Sequence, residues 1–373
     1  MAFGIGLIGV GNISAQYLDT FTRASSVEVI AVAGLGSRRA ASVAAAYGVE
    51  ALAVEELLDD KRIQLVVNLT VPAVHAQIDA QIIAAGKHVY AEKPLALTTA
   101  QGQAVLEAAA SAGVLVGSAP DTVLGTGIQT SVDAVRSGRL GEPFAASILW
   151  GAAGPELWHP DPEFYYQSGG GPVLDMGPYY LTALVHLLGP VRSVVAHTRT
   201  SGRQRVIGTG PKAGKRLAVE VPTYAAALLE HVSGAVSTVT VSFETWGHNN
   251  EPFFEIYGTA GSLRVPDPNK FEERAWLYDA HSVVTSAEEA QRRWEPLPVS
   301  AGFQGSGRGI GVVDMVEALE QGRTHRASGA MALHVLEILE AIEASEGKPV
   351  SLSTTAETSE VIPLRDVNMT AAT

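Results

Sequence analysis

The first third of the chain alternates short apolar runs with segments whose apolar residues recur at helical spacing. The runs predict five strands, and the segments between them predict five helices. The predicted strands are 3–8, 27–33, 63–69, 87–91 and 114–117, and the predicted helices are 13–24, 39–47, 54–59, 74–85 and 99–112. Strands joined by helices of this length form right-handed crossovers. The pattern therefore predicts an N-terminal Rossmann domain over residues 1–122, with a doubly wound parallel sheet.

After about residue 122 the predicted strands become longer and alternate apolar with polar positions, over 191–200, 223–230, 235–244 and 253–258. A long helix follows at 330–345, and the polar segments 201–215 and 279–293 are expected to be surface loops. We predict a C-terminal α+β domain over residues 123–373, built on a large, open, mostly antiparallel sheet. An open sheet needs a cover, so we expect this domain to bind substrate and to form a homodimer or homotetramer.

Composition narrows the classes of function. The chain has 373 residues, a formal net charge of −13 and no cysteine. Its length favours two domains, and its acidity disfavours nucleic acid and anionic membranes as partners. The lack of cysteine excludes disulfides, thiolate catalysis and cysteine metal sites. No apolar stretch approaches the ~20 residues of a membrane span, and the N-terminus looks like a buried strand, so we expect a cytoplasmic protein.

A glycine motif follows the first predicted strand and opens the first helix, with the sequence Gly9-Val10-Gly11-Asn12-Ile13. Gly9 permits a tight turn, and Gly11 lets the backbone approach a pyrophosphate at the helix start. Ser14 occupies the position that is Gly or Ala in the strict dinucleotide fingerprint, and it is small enough for the helix–strand contact. The motif predicts a dinucleotide site.

The second predicted strand ends without the acidic residue that often binds the ribose of NAD. The residues that follow include Ser37 and Arg38, which we expect to contact the cofactor. An acid there would repel a 2′-phosphate, whereas an arginine attracts one. Both NAD and NADP therefore stay open.

The fourth predicted strand leads into Glu92-Lys93-Pro94. Ligands of such sheets bind outside the carboxyl ends of the strands, so Lys93 is placed where its ammonium can polarise a hydroxyl or carbonyl group. We expect Lys93 to be catalytic and to contact both cofactor and substrate.

Together the Gly9–Ile13 and Glu92–Pro94 motifs make the chain resemble the glucose–fructose oxidoreductase, inositol dehydrogenase and rhizopine-catabolism family over essentially its whole length. The segment Thr70-Val71-Pro72, with His75 three residues on, matches the loop of that family that flanks the nicotinamide. The resemblance implies that NAD or NADP is the cofactor and that Thr70, Val71, Pro72, His75 and Glu92 help to bind it.

A glycine-rich run at 169–171 opens a helix that carries Asp175 and Tyr179, four residues apart and so on one face. In the family the position of Asp175 is acidic and contacts the substrate. Four residues on, many members have a histidine that acts as acid or base, and some sugar and dihydrodiol members have tyrosine. The resemblance implies that Tyr179 transfers the proton, with Tyr180 about 100° away around the helix.

Further candidates for substrate contacts lie on segments dense in polar or aromatic residues. Aromatic faces suit the C–H faces of sugars, and the ends of strands present hydroxyl and carboxyl groups. The candidates are Trp158, His159, Tyr165, Asp121, Thr122 and Asn249. No spacing of His, Asp and Glu suggests a metal site.

The predicted reaction is hydride transfer between nicotinamide and a secondary alcohol of a sugar, glycoside or inositol. Some relatives of this architecture are glycosidases that keep NAD bound. They oxidise C3 transiently, which permits elimination, water addition and re-reduction, and sulfosugar glycosides are one possible substrate class. The same residues would serve that cycle. A catalytically silent, cofactor-binding regulator is the third alternative, which the complete set of Lys93, Asp175 and Tyr179 disfavours.

Overall fold

The computed structural model describes residues 2–34, 37–246, 253–280, 286, 288 and 293–367. Its contacts divide the chain into two compact units. Unit 1 comprises residues 1–126, 301–336 and 362–373, and unit 2 comprises residues 127–300 and 337–361. The predicted division after residue 122 concerns domains along the sequence, and it stays a prediction.

Unit 1 contains a six-stranded parallel sheet with the strand order β3-β2-β1-β4-β5-β6. Its strands are β1 (Phe3–Ile8), β2 (Val27–Ala33), β3 (Glu50–Ala51), β4 (Leu65–Asn68), β5 (His88–Ala91) and β6 (Val116–Ser118). The helices of the crossovers are α1 (Ser14–Phe21), α2 (Ser37–Tyr47), α3 (Val54–Asp59), α4 (His75–Ala84) and α5 (Thr99–Ala112). The predicted Rossmann sheet is confirmed.

Local sequence explains where several of these elements end. The Thr98 hydroxyl accepts a hydrogen bond from the Gln101 amide and so caps the start of α5, which ends at Gly113 in the left-handed conformation. The central strands are mostly apolar because helices cover both faces of the sheet, and Val66 on β4 and Val89 on β5 are fully buried.

Unit 2 contains a nine-stranded sheet in which β7 and β12 pair in parallel and all other neighbours pair antiparallel. The strand order is β16-β15-β14-β13-β7-β12-β11-β8-β18. The nine strands are β7 (Pro143–Gly151), β8 (Val191–Arg199), β11 (Tyr224–His231), β12 (Val236–Ser242), β13 (Phe253–Gly258), β14 (Gly261–Arg264), β15 (Trp276–Asp279), β16 (Trp294–Pro296) and β18 (Val350–Ser351). Strands β9 (Arg205–Val206) and β10 (Arg216–Leu217) form a separate hairpin. The predicted large, mostly antiparallel sheet is confirmed.

Six further α-helices and strands complete the secondary structure of the described residues. They are α6 (Thr126–Arg136), α7 (Gly171–Leu188), β17 (Phe303–Gln304), α8 (Ile310–Gln321), α9 (Gly329–Ala344) and β19 (Arg365–Asp366). Helix α7 packs against β11 and β12 and covers one face of the large sheet. The elements that the sequence pattern did not predict include β7, at the centre of that sheet, and α8.

Two buried polar residues form a hydrogen bond at the end of β4 in unit 1. The Asn68 amide nitrogen donates to a carboxylate oxygen of Asp79 on α4 at 2.7 Å, and both residues are fully buried. Burial raises the pKa of the Asp79 carboxyl to about 7, although the hydrogen bond from Asn68 opposes that rise. Asp79 is therefore a group whose protonation is linked to folding.

A buried charge cluster lies in unit 2 within a segment expected to be a surface loop. Arg205 is fully buried, and its guanidinium donates to Glu156 at 2.9 Å and to Glu244 at 2.5 Å. Arg203 adds a second contact to Glu156 at 2.5 Å, and the Tyr166 hydroxyl donates to the other oxygen of Glu156. The expectation of a surface loop over 201–215 is thus wrong at Arg205, which β9 carries into the interior.

We expect Arg205→Met to destabilise the protein by about 3–5 kcal/mol, because it removes a partner from Glu156, a carboxylate that is only 1% exposed. Urea denaturation would measure this loss. Arg192→Met is the matched control. It breaks the Arg192–Glu230 pair, whose side chains are both largely exposed, and should move the midpoint little. Equal midpoints for the two variants would contradict the structural role of Arg205.

The second expectation concerns Asp79 and pH. The folded protein holds this proton up to about pH 7, whereas the unfolded chain releases it near its ordinary pKa of about 4. Between these values the folded state binds more protons, so this carboxyl makes stability fall as pH rises, by up to about 1.4 kcal/mol per pH unit. Asp79→Asn keeps an acceptor for Asn68 and removes the titration.

Urea unfolding at pH 5 and pH 8 tests this linkage. Relative to wild type, Asp79→Asn should gain stability at the higher pH. Asp59→Asn, which changes an exposed carboxyl on α3, should leave the pH dependence as in wild type. If Asp79→Asn and wild type ran parallel across this range, Asp79 would not be the titrating group.

Candidate functional site

The turn between β1 and α1 has the geometry of a dinucleotide-binding turn. Gly9 has φ +107°, and a Cβ there would lie 2.5 Å from the Leu69 carbonyl oxygen, so only glycine fits. Gly11 is exposed, and a Cβ on it would meet nothing within 4 Å. The Ser14 hydroxyl donates to the Gly11 carbonyl at 2.8 Å and closes the turn at the first residue of α1. Open backbone before a helix start fits a dinucleotide pyrophosphate.

The neighbouring residues place two arginines at this end of the sheet. Asn12 is exposed, Ile13 is partly buried, and the Arg39 guanidinium donates to the Asn12 side-chain oxygen at 3.0 Å. Ser37 begins α2, and Arg38, the next residue, is exposed. Arg39 thus already has a partner in the turn, which leaves Arg38 as the candidate for contacting a cofactor phosphate.

The loop after β4 carries the next predicted cofactor residues. Val71 is 61% exposed, Thr70 is half-buried, and Pro72 begins a short 3-10 helix, Pro72–Val74, that leads into α4. This loop follows the carboxyl end of β4, next to β1 in the sheet. Its exposure is compatible with the predicted cofactor contact.

His75, which the resemblance implies as a cofactor residue, is held within unit 1. Its ring is fully buried, with Nδ1 2.7 Å from the Pro94 carbonyl oxygen and Nε2 3.0 Å from the Thr70 carbonyl oxygen. Both ring nitrogens therefore face backbone atoms of the protein. The geometry favours a structural contact over the direct cofactor contact that the resemblance implies.

Lys93 follows β5 directly and is half-buried. Its backbone amide donates to one carboxylate oxygen of Glu92 at 3.0 Å, and the Tyr17 hydroxyl on α1 donates to the other at 2.7 Å. Glu92 is 8% exposed, and its carboxylate accepts hydrogen bonds from these two donors within unit 1. This favours a role in holding Lys93 over the predicted cofactor contact. Nothing in the sequence around Tyr17 signalled the interaction.

Asp121 and Thr122, predicted to contact substrate hydroxyls, are both fully buried after β6. One Asp121 oxygen accepts hydrogen bonds from the backbone amides of Gly309 at 2.7 Å and Gly311 at 3.0 Å, at the start of α8. Burial raises the pKa of this carboxyl to about 6. The arrangement favours a role for Asp121 in capping α8 over the substrate contact that we predicted.

In unit 2, α7 carries the predicted acid–base residues. Asp175 lies in its second turn and is partly buried, and Tyr179 follows one turn later and is 5% exposed. The Tyr180 hydroxyl donates to Asp267 at 2.9 Å, so this neighbouring phenol has a structural partner inside unit 2.

The predicted aromatic segment forms a cluster beside the start of α7. Trp158 packs edge-on against His159 at 5.5 Å and Tyr165 at 6.3 Å between ring centroids, while its side chain remains 64% exposed. A Cβ on Gly170, the residue before α7, would lie 2.5 Å from the Phe164 carbonyl oxygen. The cluster therefore sits directly against the helix that carries Asp175 and Tyr179.

His159 has a defined hydrogen bond in this cluster. Its Nδ1 accepts from the Asp161 amide at 3.1 Å, so the proton of the neutral ring lies on Nε2. Asn249, the remaining predicted substrate residue, lies outside the described residues.

Two features are absent from the described part of the chain. No helix there is long and apolar enough to cross a membrane. Within the same residues, no group of three His, Asp or Glu side chains is arranged to hold a metal ion.

Comparison with known proteins agrees with this geometry. Residues 3–119 match the oxidoreductase family with an NAD-binding Rossmann fold, and residues 128–264 match the C-terminal domain of the same GFO/IDH/MocA family. These two matches together span more than half of the chain.

Curated relatives include enzymes named for sugar substrates. The chain is 29% identical over 267 residues to 1,5-anhydro-D-fructose reductase of Ensifer adhaerens, covering 69% of this chain and 74% of the relative. It is 27% identical over 297 residues to dTDP-3,4-didehydro-2,6-dideoxy-alpha-D-glucose 3-reductase of Streptomyces antibioticus, covering 77% and 84%.

Among solved structures, levoglucosan dehydrogenase in complex with NADH and L-sorbose superposes with a TM-score of 0.79 at 21% identity, over 95% of this chain and 100% of that one. This likeness shows the fold. With both family matches, the dinucleotide turn and the lysine after β5 in place, the chain belongs to the GFO/IDH/MocA oxidoreductase family and contains its NAD-binding Rossmann domain.

Proposed function

We propose that the protein transfers hydride between a nicotinamide cofactor and a secondary alcohol of a sugar, glycoside or inositol. The observation that carries the proposal is Lys93, half-buried after β5 in an NAD-binding Rossmann domain, with its backbone fastened by the buried Glu92. The names of the curated relatives, which are sugar and inositol reductases or dehydrogenases, support the substrate class.

The proposed roles of the side chains follow from their chemistry. When bound, the nicotinamide supplies or accepts the hydride. The Lys93 ammonium donates a hydrogen bond to the reacting oxygen and stabilises negative charge on it. The Tyr179 phenol takes the hydroxyl proton during oxidation and returns it during reduction. The Asp175 carboxylate accepts hydrogen bonds from neighbouring hydroxyls and fixes which one reacts.

The aromatic cluster of Trp158, His159 and Tyr165 supplies a second kind of substrate contact. An exposed indole face suits the C–H face of a pyranose ring, and the His159 Nε2 proton can be donated to a hydroxyl. Sugar rings carry both features, so the cluster supports a carbohydrate over a small hydroxy acid.

We also propose that the protein forms a homo-oligomer through the open face of the large sheet. That face presents apolar side chains to solvent, including Leu149, Leu228, Val236 and Phe253. Leu149 and Phe253 are direct neighbours across β7 and β13, so the patch is contiguous. A second copy of this chain would bury it.

A substrate panel tests the proposed reaction. Purified protein would be incubated with sugars, inositols and p-nitrophenyl glycosides, with NAD, with NADP and without cofactor. Net formation of reduced nicotinamide supports the dehydrogenase. Cofactor-dependent release of p-nitrophenol without net reduction would replace it with the redox-cycling glycosidase. Tight NADH binding with no turnover of any compound would favour the regulator.

Tyr179→Phe should lower kcat by roughly 10²–10⁴-fold, because it removes the proton-transfer group and keeps the ring. Stopped-flow measurement of the hydride step, with NADH affinity measured separately, would show that binding persists. Tyr180→Phe is the matched control. It should keep its turnover and lose only about 1 kcal/mol of stability with the bond to Asp267. If Tyr180→Phe lost activity and Tyr179→Phe kept it, another group would be the acid–base residue, with His159 the first candidate.

Arg38→Ala tests which dinucleotide is used. Residues 33–39 contain no acid, and Arg38 is exposed at the start of α2. A charge-assisted hydrogen bond to a 2′-phosphate is worth about 1.5–3 kcal/mol, so NADPH affinity should fall at least tenfold while NADH affinity holds. Arg39→Ala is the comparison, since Arg39 bonds Asn12. Equal losses for both cofactors with Arg38→Ala would remove Arg38 from phosphate recognition.

A further inference from the structure

The backbone around Lys93 is held on two sides by buried side chains of unit 1. Before it, the Glu92 carboxylate accepts from the Lys93 amide, and Tyr17 of α1 anchors that carboxylate. After it, the Pro94 carbonyl oxygen lies 2.7 Å from Nδ1 of His75. The first anchor lies within the Glu-Lys-Pro motif, and the second reaches it from α4, nearly twenty residues earlier in the chain.

His75 bridges two loops. Its other ring nitrogen, Nε2, lies 3.0 Å from the Thr70 carbonyl oxygen in the loop after β4. Both facing atoms are carbonyl oxygens, which only accept, so the ring donates at least one hydrogen bond in any protonation state. A side chain with two nitrogens at opposite edges of a rigid ring spans these two carbonyls, and an aliphatic or phenyl side chain would leave both without this donor.

The Thr70 end of this bridge is itself fixed. The Asn68 side-chain oxygen accepts from the Thr70 amide at 3.2 Å and from the Thr70 hydroxyl at 2.6 Å. Its amide nitrogen donates to the His75 carbonyl at 3.2 Å and to Asp79 at 2.7 Å. The end of β4, the start of α4 and the chain after Lys93 are thus connected through buried and partly buried polar contacts.

We propose that His75 is a positioning residue for Lys93, which it holds through the Pro94 carbonyl and aligns with the loop Thr70–Pro72. This inference rests on the proposed function, in which Lys93 is the catalytic lysine. Full burial keeps the imidazole away from substrate, so it acts through the backbone. Because a displacement of about 1 Å in a catalytic group can cost 10²-fold in rate, this bridge sets turnover without taking part in proton transfer.

The chain offers a matched control in unit 2. His231 is also fully buried, with Nδ1 2.8 Å from the Gly189 carbonyl oxygen and Nε2 2.8 Å from the Ser237 hydroxyl oxygen. His75→Phe and His231→Phe each remove one buried, bridging imidazole and keep a ring of similar size. A role that is merely structural predicts the same outcome for both.

The first readout needs neither substrate nor cofactor. The chain has seven lysines, so reductive ¹³C-methylation gives few dimethyl-lysine resonances, and the one lost in Lys93→Arg is that of Lys93. In His75→Phe the Lys93 resonance should shift and its titration midpoint should move. In His231→Phe both should stay as in wild type. His75→Gln keeps an amide donor for one carbonyl and should give an intermediate shift.

The second readout is kinetic. His75→Phe should lower kcat by about 10²-fold with a much smaller change in the substrate KM, whereas His231→Phe should change neither at a temperature where both variants are folded. In a Lys93→Ala background, adding His75→Phe should lower the residual rate less than twofold, because the two residues act through one group.

The outcomes separate this inference from the proposed function. An unchanged Lys93 resonance in His75→Phe, with stability lost as in His231→Phe, would overturn the positioning role whatever the enzyme's reaction. A shifted resonance in a protein that oxidises no sugar would keep the role and overturn the function. If His75→Phe does not fold, His75→Gln decides, and a wild-type Lys93 resonance in that variant would overturn the proposal.

Discussion

The chain leaving β1 passes so close to the chain leaving β4 that no side chain fits between them. A Cβ on Gly9 would lie 2.5 Å from the Leu69 carbonyl oxygen, while the Gly9 amide donates to Ala33 at the end of β2. The exposed Gly11 and the start of α1 at Ser14 follow this close approach directly. The close approach also puts Tyr17, one turn into α1, within reach of Glu92 after β5. The dinucleotide turn and the placement of Lys93 therefore depend on one missing methyl group.

Much of unit 1 could be predicted because its signals are local. A strand buried on both faces is a short apolar run, and the glycines at 9 and 11 mark the turn without help from other residues. By contrast, α8 has no local start signal. A glycine-rich segment precedes it, and the carboxylate that caps it belongs to Asp121, which lies 188 positions before the Gly309 amide that it binds. Such a cap is visible only once the fold brings Asp121 to the helix start.

Strand β7 shows a different limit. It lies at the centre of the large sheet, between β13 and β12, yet its first half contains Ala145, Ala146 and Ser147, which favour strands weakly. Pairing on both edges stabilises it in place of side-chain preference. The prediction of a surface loop over the polar segment that includes Arg203 and Arg205 was wrong for the opposite reason. Charged residues normally indicate surface, and only the matching carboxylates of Glu156 and Glu244 allow Arg205 to be buried.

The same distinction explains the candidate site. Lys93 was found from its motif, because its position after a parallel strand is a property of sequence order. Tyr17, Asn68 and His75, which hold Lys93 in place, belong to no sequence motif that indicates this role. Burial and hydrogen bonding favour structural roles for His75, Glu92 and Asp121, and their predicted ligand contacts stay predictions. The His75 ring and the Glu92 carboxylate contact groups within unit 1, whereas among the described residues one buried oxygen of Asp121 has no hydrogen-bond partner.

Within unit 2, the role that we propose for the aromatic cluster in binding a sugar depends on how the cluster is held in place. The segment that carries Trp158 has short 3-10 turns and little other regular structure. Charged contacts therefore hold its backbone in place. Beneath it, the Glu156 carboxylate binds two arginines and the Tyr166 hydroxyl. On its outer side, Lys212 pairs with Asp161 at 2.5 Å and with Glu163 at 2.9 Å. The buried pairs fix the backbone, while the exposed pairs are weak and leave the outer edge adjustable. Under the proposed function, changes along that outer edge would therefore alter which sugar is accepted without disturbing the helix that carries Asp175 and Tyr179.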